Sequence, residues 1–179
     1  MLQITVPGGE IYDEESRRFR IVKAQTIELE HSLISISKWE SRWKKAFLSR
    51  AKRTEDEVMD YFRCMTITPG VNPDLYYCLS AENVHEIQSY IDDTMSATVF
   101  RGTNQQKGTP KPRTSEQIYG AMVVLGIPFE CQKWHLNRLL NLIQECENLN
   151  GGGKMNRKDS AKYMSQINAM RRAKHHSRG

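Results

Sequence analysis

The chain has 179 residues, 39% hydrophobic and 26% charged. That is enough for one ordinary domain, which buries about 70% of its unfolded surface and needs no metal or disulfide staple. This composition excludes collagenous, low-complexity and globally disordered chains. The net charge of +5 is unevenly placed: residues 151–179 hold eight basic residues against the single acid Asp159, a net +7, which leaves −2 on residues 1–150.

Residues 1–7 lack the basic start and apolar stretch of a secretory signal. The longest apolar run, residues 121–129, is interrupted by Gly126 and Pro128 and falls short of the roughly 20 residues a membrane span needs. Cys64, Cys78, Cys131 and Cys146 form no Cys-x-x-Cys pair, which predicts reduced thiols and a cytoplasmic protein.

In chain order, residues 2–31 predict β-structure. Ile4, Val6, Ile11, Phe19, Ile21, Val22, Ile27 and Leu29 recur in short alternating stretches, with turn chemistry at Gly8-Gly9 and at residues 13–16. Gln25 to His31 alternates polar and apolar, as a strand with one buried face does. From Ser32 the period becomes helical, through Ile34, Trp39, Trp43 and Phe47. Thr54-x-x-Glu57 is a capping box opening a second helix with Val58, Tyr61, Phe62 and Met65 on its apolar face. Pro69-Gly70 breaks it. Asn72-Pro73-Asp74 starts a short helix, and Ser80 caps another carrying Val84, Ile87, Tyr90 and Ile91.

Residues 101–113 contain no large apolar side chain, two Gly, two Pro and four cations, and predict a mobile loop. Thr114 and Gln117 form a further capping box before an apolar helix that Gly126 ends. Residues 128–149 predict one long helix, with Phe129, Leu136, Leu139, Leu140, Ile143 and Cys146 as its stripe and Trp134, Leu142 and Leu149 widening it. Gly151-Gly152-Gly153 is a hinge, and Tyr163, Met164, Ile167 and Met170 lie at helical spacing in the basic arm beyond. The expected fold is α+β and mainly helical: a β-hairpin or small sheet over 1–31, a helical body over 32–150, and a basic arm over 151–179.

Chemical sites are sparse. Cys131 and His135, four apart on the expected long helix, can offer two zinc ligands, but no spacing supplies the other two. Glu28 and Glu30 share a strand face beside His31 without the third acid or lysine of a nuclease centre; Asp92-Asp93 ends a helix with no more support. Nucleophile-elbow, phosphate-loop, dinucleotide and zinc-protease motifs are all missing. No catalytic, cofactor or metal residue is therefore expected, and the chain does not read as an enzyme. Between Trp39 and Arg53, six cations interleave with Trp39, Trp43 and Phe47. Nucleic-acid strands can use such a pattern, but here it fits better an amphipathic core helix with a solvated face. The candidate partner-binding residues are Trp39 and Trp43, then Phe129, Trp134, Leu136, Leu140 and Ile143, then Tyr163, Ile167, Met170, Arg171 and Arg172 in the arm.

Three runs carry a resemblance: His31-Ser-Leu-Ile-Ser-Ile-Ser-Lys-Trp-Glu-Ser-Arg-Trp-Lys-Lys45, Asp60-Tyr-Phe-Arg-Cys-Met-Thr66, and Ile127-Pro-Phe-Glu-Cys-Gln-Lys-Trp-His-Leu-Asn-Arg-Leu-Leu140. With the basic end from Met155 to Gly179, in the same order along nearly the whole chain, they resemble the tail assembly chaperones of tailed phages (siphoviruses) of Gram-positive hosts. The resemblance implies a non-enzymatic protein of the host cytoplasm. It would coat the tape-measure protein and keep that long helical client soluble until tail tube subunits replace it. The tail tube protein and a second copy of the chain are further partners on this reading; a membrane is not, and nucleic acid is disfavoured. The rival readings are a structural tail or head–tail component of the virion and a basic nucleic-acid-binding phage factor. Eight methionines and the apolar surface of 118–149 suit the binding of a variable helical client.

Overall fold

The computed structural model describes residues 1–13, 17–98 and 113–150. The fold is α+β and mainly helical, as the sequence predicts. The four strands are β1 (Leu2–Val6), β2 (Gly9–Asp13), β3 (Arg18–Val22) and β4 (Gln25–Leu29). The helices are α1 (Leu33–Trp43), α2 (Glu55–Met65), α3 (Ala81–Asp92), α4 (Ser115–Val124) and α5 (Leu136–Asn150). Two short 3-10 helices, Pro73–Cys78 and Phe129–Lys133, precede α3 and α5. The chain divides into two compact units, Met1–Ile143 and Gln144–Gly179. The β-element and the helical body as far as Ile143 lie in the first of these units.

The strands make one long hairpin interrupted in the middle. β1 pairs with β4 from Leu2↔Leu29 to Val6↔Gln25, and β2 pairs with β3 from Gly9↔Val22 to Asp13↔Arg18, both antiparallel and in one continuous register. The ladder breaks at Pro7-Gly8 opposite Lys23-Ala24. Pro7 has no amide hydrogen to donate. A Cβ on Gly8 would lie 2.5 Å from the Val22 carbonyl oxygen, so only glycine lets the two arms pass there. Ile4, Val6, Ile27 and Leu29 point to one face and are buried.

The outer edge of β4 is covered by the chain leaving α2. Glu30 N donates to Met65 O at 2.9 Å, Ile67 N to Glu28 O at 2.8 Å, and Glu28 N to Thr68 Oγ1 at 2.8 Å. That pairing hides an edge which would otherwise invite aggregation, and it locks the β-element to the helical body.

Helices α1 to α4 all begin with reciprocal capping boxes, at Ser32/Ser35, Thr54/Glu57, Ser80/Asn83 and Thr114/Gln117. Each satisfies two otherwise unpaired amides. α1 stops earlier than its apolar spacing predicts. Lys44 adopts a left-handed conformation (φ 55°), and its amide bonds to Glu40 O. Phe47 is therefore off the helix, turned back so that its ring lies 4.0 Å from Tyr61 and 5.2 Å from Trp39.

The expected single helix over 128–149 is two elements. Pro128 and the 3-10 helix Phe129–Lys133 come first, then α5 starts at Leu136. The break is held by Leu136 N donating to His31 O at 2.6 Å, which ties the start of α5 to the corner between β4 and α1. The core gathers Leu33, Ile36, Trp39, Phe62, Met65, Leu75, Ile87, Ile118, Met122, Leu136, Leu139 and Ile143. The predicted loop 101–113 lies outside the described residues except for Arg113, as does the whole arm 151–179.

Candidate partner-binding surfaces

Several polar and charged side chains of the body are turned inward. Glu40, on α1, is buried, and each of its oxygens accepts a backbone amide: Oε1 from Phe47 at 2.7 Å and Oε2 from Ser115 at 2.7 Å. One carboxylate thus fastens the loop after α1 and the first turn of α4, where a helix favours negative charge. Glu57 and Asp60 on α2 are also buried. Glu57 pairs with Lys45 and accepts from Thr54 N, and these bonds hold its carboxyl below the usual range. Asp60 pairs with Arg42 and accepts from Trp43 Nε1 at 2.9 Å. The Arg53 guanidinium stacks over Phe47 at 4.1 Å and donates to Phe47 O. Arg42, Lys45 and Arg53 are therefore committed within the protein, and the aromatics interleaved with them pack with one another.

A second internal network surrounds His31. Its Nδ1 shares a hydrogen bond with Tyr61 Oη, and its ring meets that of His135 edge-on at 5.1 Å. His135 Nε2 donates to Tyr90 O at 2.9 Å, while its Nδ1 accepts from Asn137 N at 3.3 Å, so the two partners fix the tautomer. Burial first, then His135 and Arg53, push the His31 pKa down to about 3. Burial pushes Tyr61 well above the usual range for a phenol. Tyr90 Oη donates to Glu30 Oε1 at 2.7 Å, and the Met1 amino group lies 3.1 Å from Glu30 Oε2. The expected Glu28–Glu30 pair is thus split: Glu28 is exposed at the strand surface, whereas Glu30, one residue past β4, is buried.

The Cys131–His135 pair does not share a helical face. Cys131 belongs to the 3-10 helix, His135 lies beyond it, and His135 is occupied by Tyr90 and Asn137. No group of three metal-capable side chains occurs among the described residues. Burial, then Asp60, push the Cys64 thiol up to about 11, so it is protonated near neutral pH and a poor nucleophile.

Among the described residues, the tip of the hairpin is open and apolar at Tyr12, Phe19 and Ile21, with the first two rings 5.1 Å apart, and two surfaces of the helical body are open as well. The first lies on α4 and the 3-10 helix after it. Beyond its polar first turn α4 is apolar on more than one side: Ile118 and Met122 point inward, while Val123 and Val124 are 63% and 84% exposed. The helix ends in a Schellman motif, with Ile127 N bonded to Met122 O and Gly126 N to Val123 O, and Gly126 supplies the left-handed φ of 66°. That turn brings Phe129, 52% exposed, to 6.2 Å from the Tyr119 ring. Tyr119, Val123, Val124 and Phe129 are contributed by one short stretch of chain.

The second is a cleft of about 470 Å³ beside α1 and the end of α2. Ile34, Met65 and Ile67 supply apolar lining, and Lys38 and Lys133 supply charge. Through Lys38 and Cys64 it meets a polar lobe of about 270 Å³ lined by Arg42 and Arg63, and Arg63 and Thr66 lead on to a third lobe beside Tyr76.

Of the expected partner residues, Trp39, Leu136 and Ile143 are at most 1% exposed and belong to the core. This corrects the expectation for them. Trp39 Nε1 donates to Glu57 O at 2.8 Å, and the other two are buried side chains of α5. Trp43, Trp134 and Leu140 are half-buried, and the Arg138 guanidinium lies 4.4 Å over the Trp134 ring. Phe129 is open. Tyr163, Ile167, Met170, Arg171 and Arg172 lie outside the described residues. Val123, Val124, Lys38, Arg63 and Lys133 were not singled out by sequence. The two valines carry a signal there, an apolar helix too uniform to have one buried face. The cleft carries none, because four separate segments converge to make it: Met1, residues 30–38, residues 64–67 and Lys133.

No family model, curated protein or solved structure matches the chain. No helix among the described residues is long and apolar enough to cross a membrane.

Proposed function

We propose that the protein is a tail assembly chaperone, acting in the host cytoplasm, that binds the phage tape-measure protein and keeps it soluble while the tail tube assembles. The observation that carries this reading is the exposure of Val123, Val124 and Phe129 at the end of α4 and just after it, with the half-buried Tyr119 ring beside Phe129. Exposed apolar side chains gathered in one place mark sites of protein association. A helical client with an apolar face is the kind of partner such a ridge accepts. The family resemblance of residues 31–45, 60–66 and 127–140 supplies the identity of that client.

A binding rather than catalytic role is supported by the protonated Cys64 and by His31 and His135, both committed to internal bonds. Against the nucleic-acid alternative, Arg42, Lys45 and Arg53 are committed to Asp60, Glu57 and Phe47.

The deciding experiment is co-expression with the tape-measure protein encoded by the same phage. The expected result is a several-fold rise in soluble client. A client that stays equally insoluble with and without the protein overturns the reading.

A further inference from the structure

We propose that the cleft beside α1 and the end of α2 binds an acidic, apolar-anchored peptide segment of a protein partner. The charge around it is unbalanced. Among the described residues, Lys38 and Lys133 have no acid within ion-pair distance. Arg63 has none either: its Nη2 makes a long 3.4 Å bond to Pro73 O, and its buried Nε has no acceptor. Arg42, at the polar lobe, is already neutralised by Asp60. The acid on the cleft wall, Glu30, is spent on the Met1 amino group and Tyr90 Oη. Lys38 and Lys133 thus border the cleft and Arg63 its adjoining lobes, with no carboxylate left to pair with them, and an Arg or Lys in a partly enclosed site gains most from an anionic partner.

The lining decides which anion. Ile34 and Ile67 supply open apolar lining, Met65 itself being buried, and Ile67 is 49% exposed although it directly follows the strand-like pairing of residue 66 with β4. A free phosphate would leave that lining wet. A nucleic-acid strand needs open aromatic faces for stacking. The aromatic ring in the groove, Tyr76, is one the Arg63 guanidinium already approaches at 5.5 Å. An apolar side chain seated on Ile34 and Ile67, followed by carboxylates reaching Lys38, Lys133 and Arg63, uses both the cleft and its adjoining lobe. The chain's own residues 151–179, with net charge +7, have the wrong sign to occupy it.

The test uses the full-length protein and fluorescence anisotropy. The probe is a short labelled peptide in which leucines four residues apart are followed by a run of glutamates. Saturable binding is expected, weakened at least tenfold when glutamine replaces the glutamates, when serine replaces the leucines, or when Lys38→Glu and Lys133→Glu are combined. Both lysines line open space, so the double variant should keep the wild-type unfolding midpoint. Ile67→Ser, a change at an exposed side chain, gives an independent uncharged probe of the same groove and should also weaken binding.

Any of four results overturns the inference: no binding of the acidic peptide, equal binding of its glutamine version, full binding by the folded double lysine variant, or displacement of the peptide by an equal concentration of oligothymidylate. The tape-measure reading stands or falls separately. A client solubilised by a protein that ignores the peptide would keep that reading and end this one.

Discussion

Single residues in this protein carry consequences that their type does not announce. Glu40 reads as an ordinary helix-surface glutamate, yet it is buried with both oxygens on backbone amides of distant segments. Glu40→Ala should cost about 3 kcal/mol, because it strands two buried donors that now bond to a charge. Glu40→Gln keeps one acceptor and should cost less; urea unfolding of the three proteins checks the order. His31 is the second case. Its folded pKa is depressed to about 3 against an unfolded value of 6.5. Below pH 6.5 the unfolded chain takes up a proton that the folded chain refuses. Stability from this group is full above 6.5 and falls, by up to about 1.4 kcal/mol per pH unit, as pH drops toward 3. Unfolding midpoints at pH 7 and pH 5 should separate for the wild type and draw together in His31→Gln. An unchanged separation in the variant would assign the dependence to another group. Gly8 is the third. Gly8→Ala pushes a Cβ into the Val22 carbonyl and should cost about 2 kcal/mol, read as a lowered melting temperature.

At the scale of elements, local signals worked where the information was local. The boxes at Thr54 and Thr114, the cap at Ser80, the Pro73 start and the Gly126 stop all lie where short-range hydrogen bonding demands them. The failures have a common cause. α1 ends at Lys44 because Glu40 captures the Phe47 amide, and the helix expected over 128–149 breaks because His31 O claims the Leu136 amide. Apolar periodicity records that Phe47 and Leu136 are buried; it does not record which backbone carries them there. α4 shows the opposite relation, since its apolar outer face was legible as an excess of hydrophobicity. Val123→Lys with Val124→Lys should leave stability within about 0.5 kcal/mol, because both side chains are exposed and cations suit a helix C-terminus. The same variant should lose most of the solubilisation of co-expressed tape-measure protein.

For the whole molecule, the proposed chaperone role requires release before the particle is finished. Mass spectrometry of purified virions should therefore find the tail tube and tape-measure proteins and not this chain, which the infected-cell lysate should contain. Detection at tail-tube stoichiometry would move the assignment to a structural tail component. Composition and pattern alone determined the fold class, the hairpin before the helices, four of the helix starts, and the division of charge between a −2 body and a +7 arm. Each is a property of neighbouring residues or of a simple sum. Only the tertiary structure decided which of the partner candidates are core, as with Trp39, Leu136 and Ile143. It alone decided which cations are spent on Asp60 and Glu57, and that Lys38 and Lys133 border a cleft whose adjoining lobe Arg63 lines. Burial and ion pairing depend on what distant segments bring to the same place, and a residue type carries no record of that.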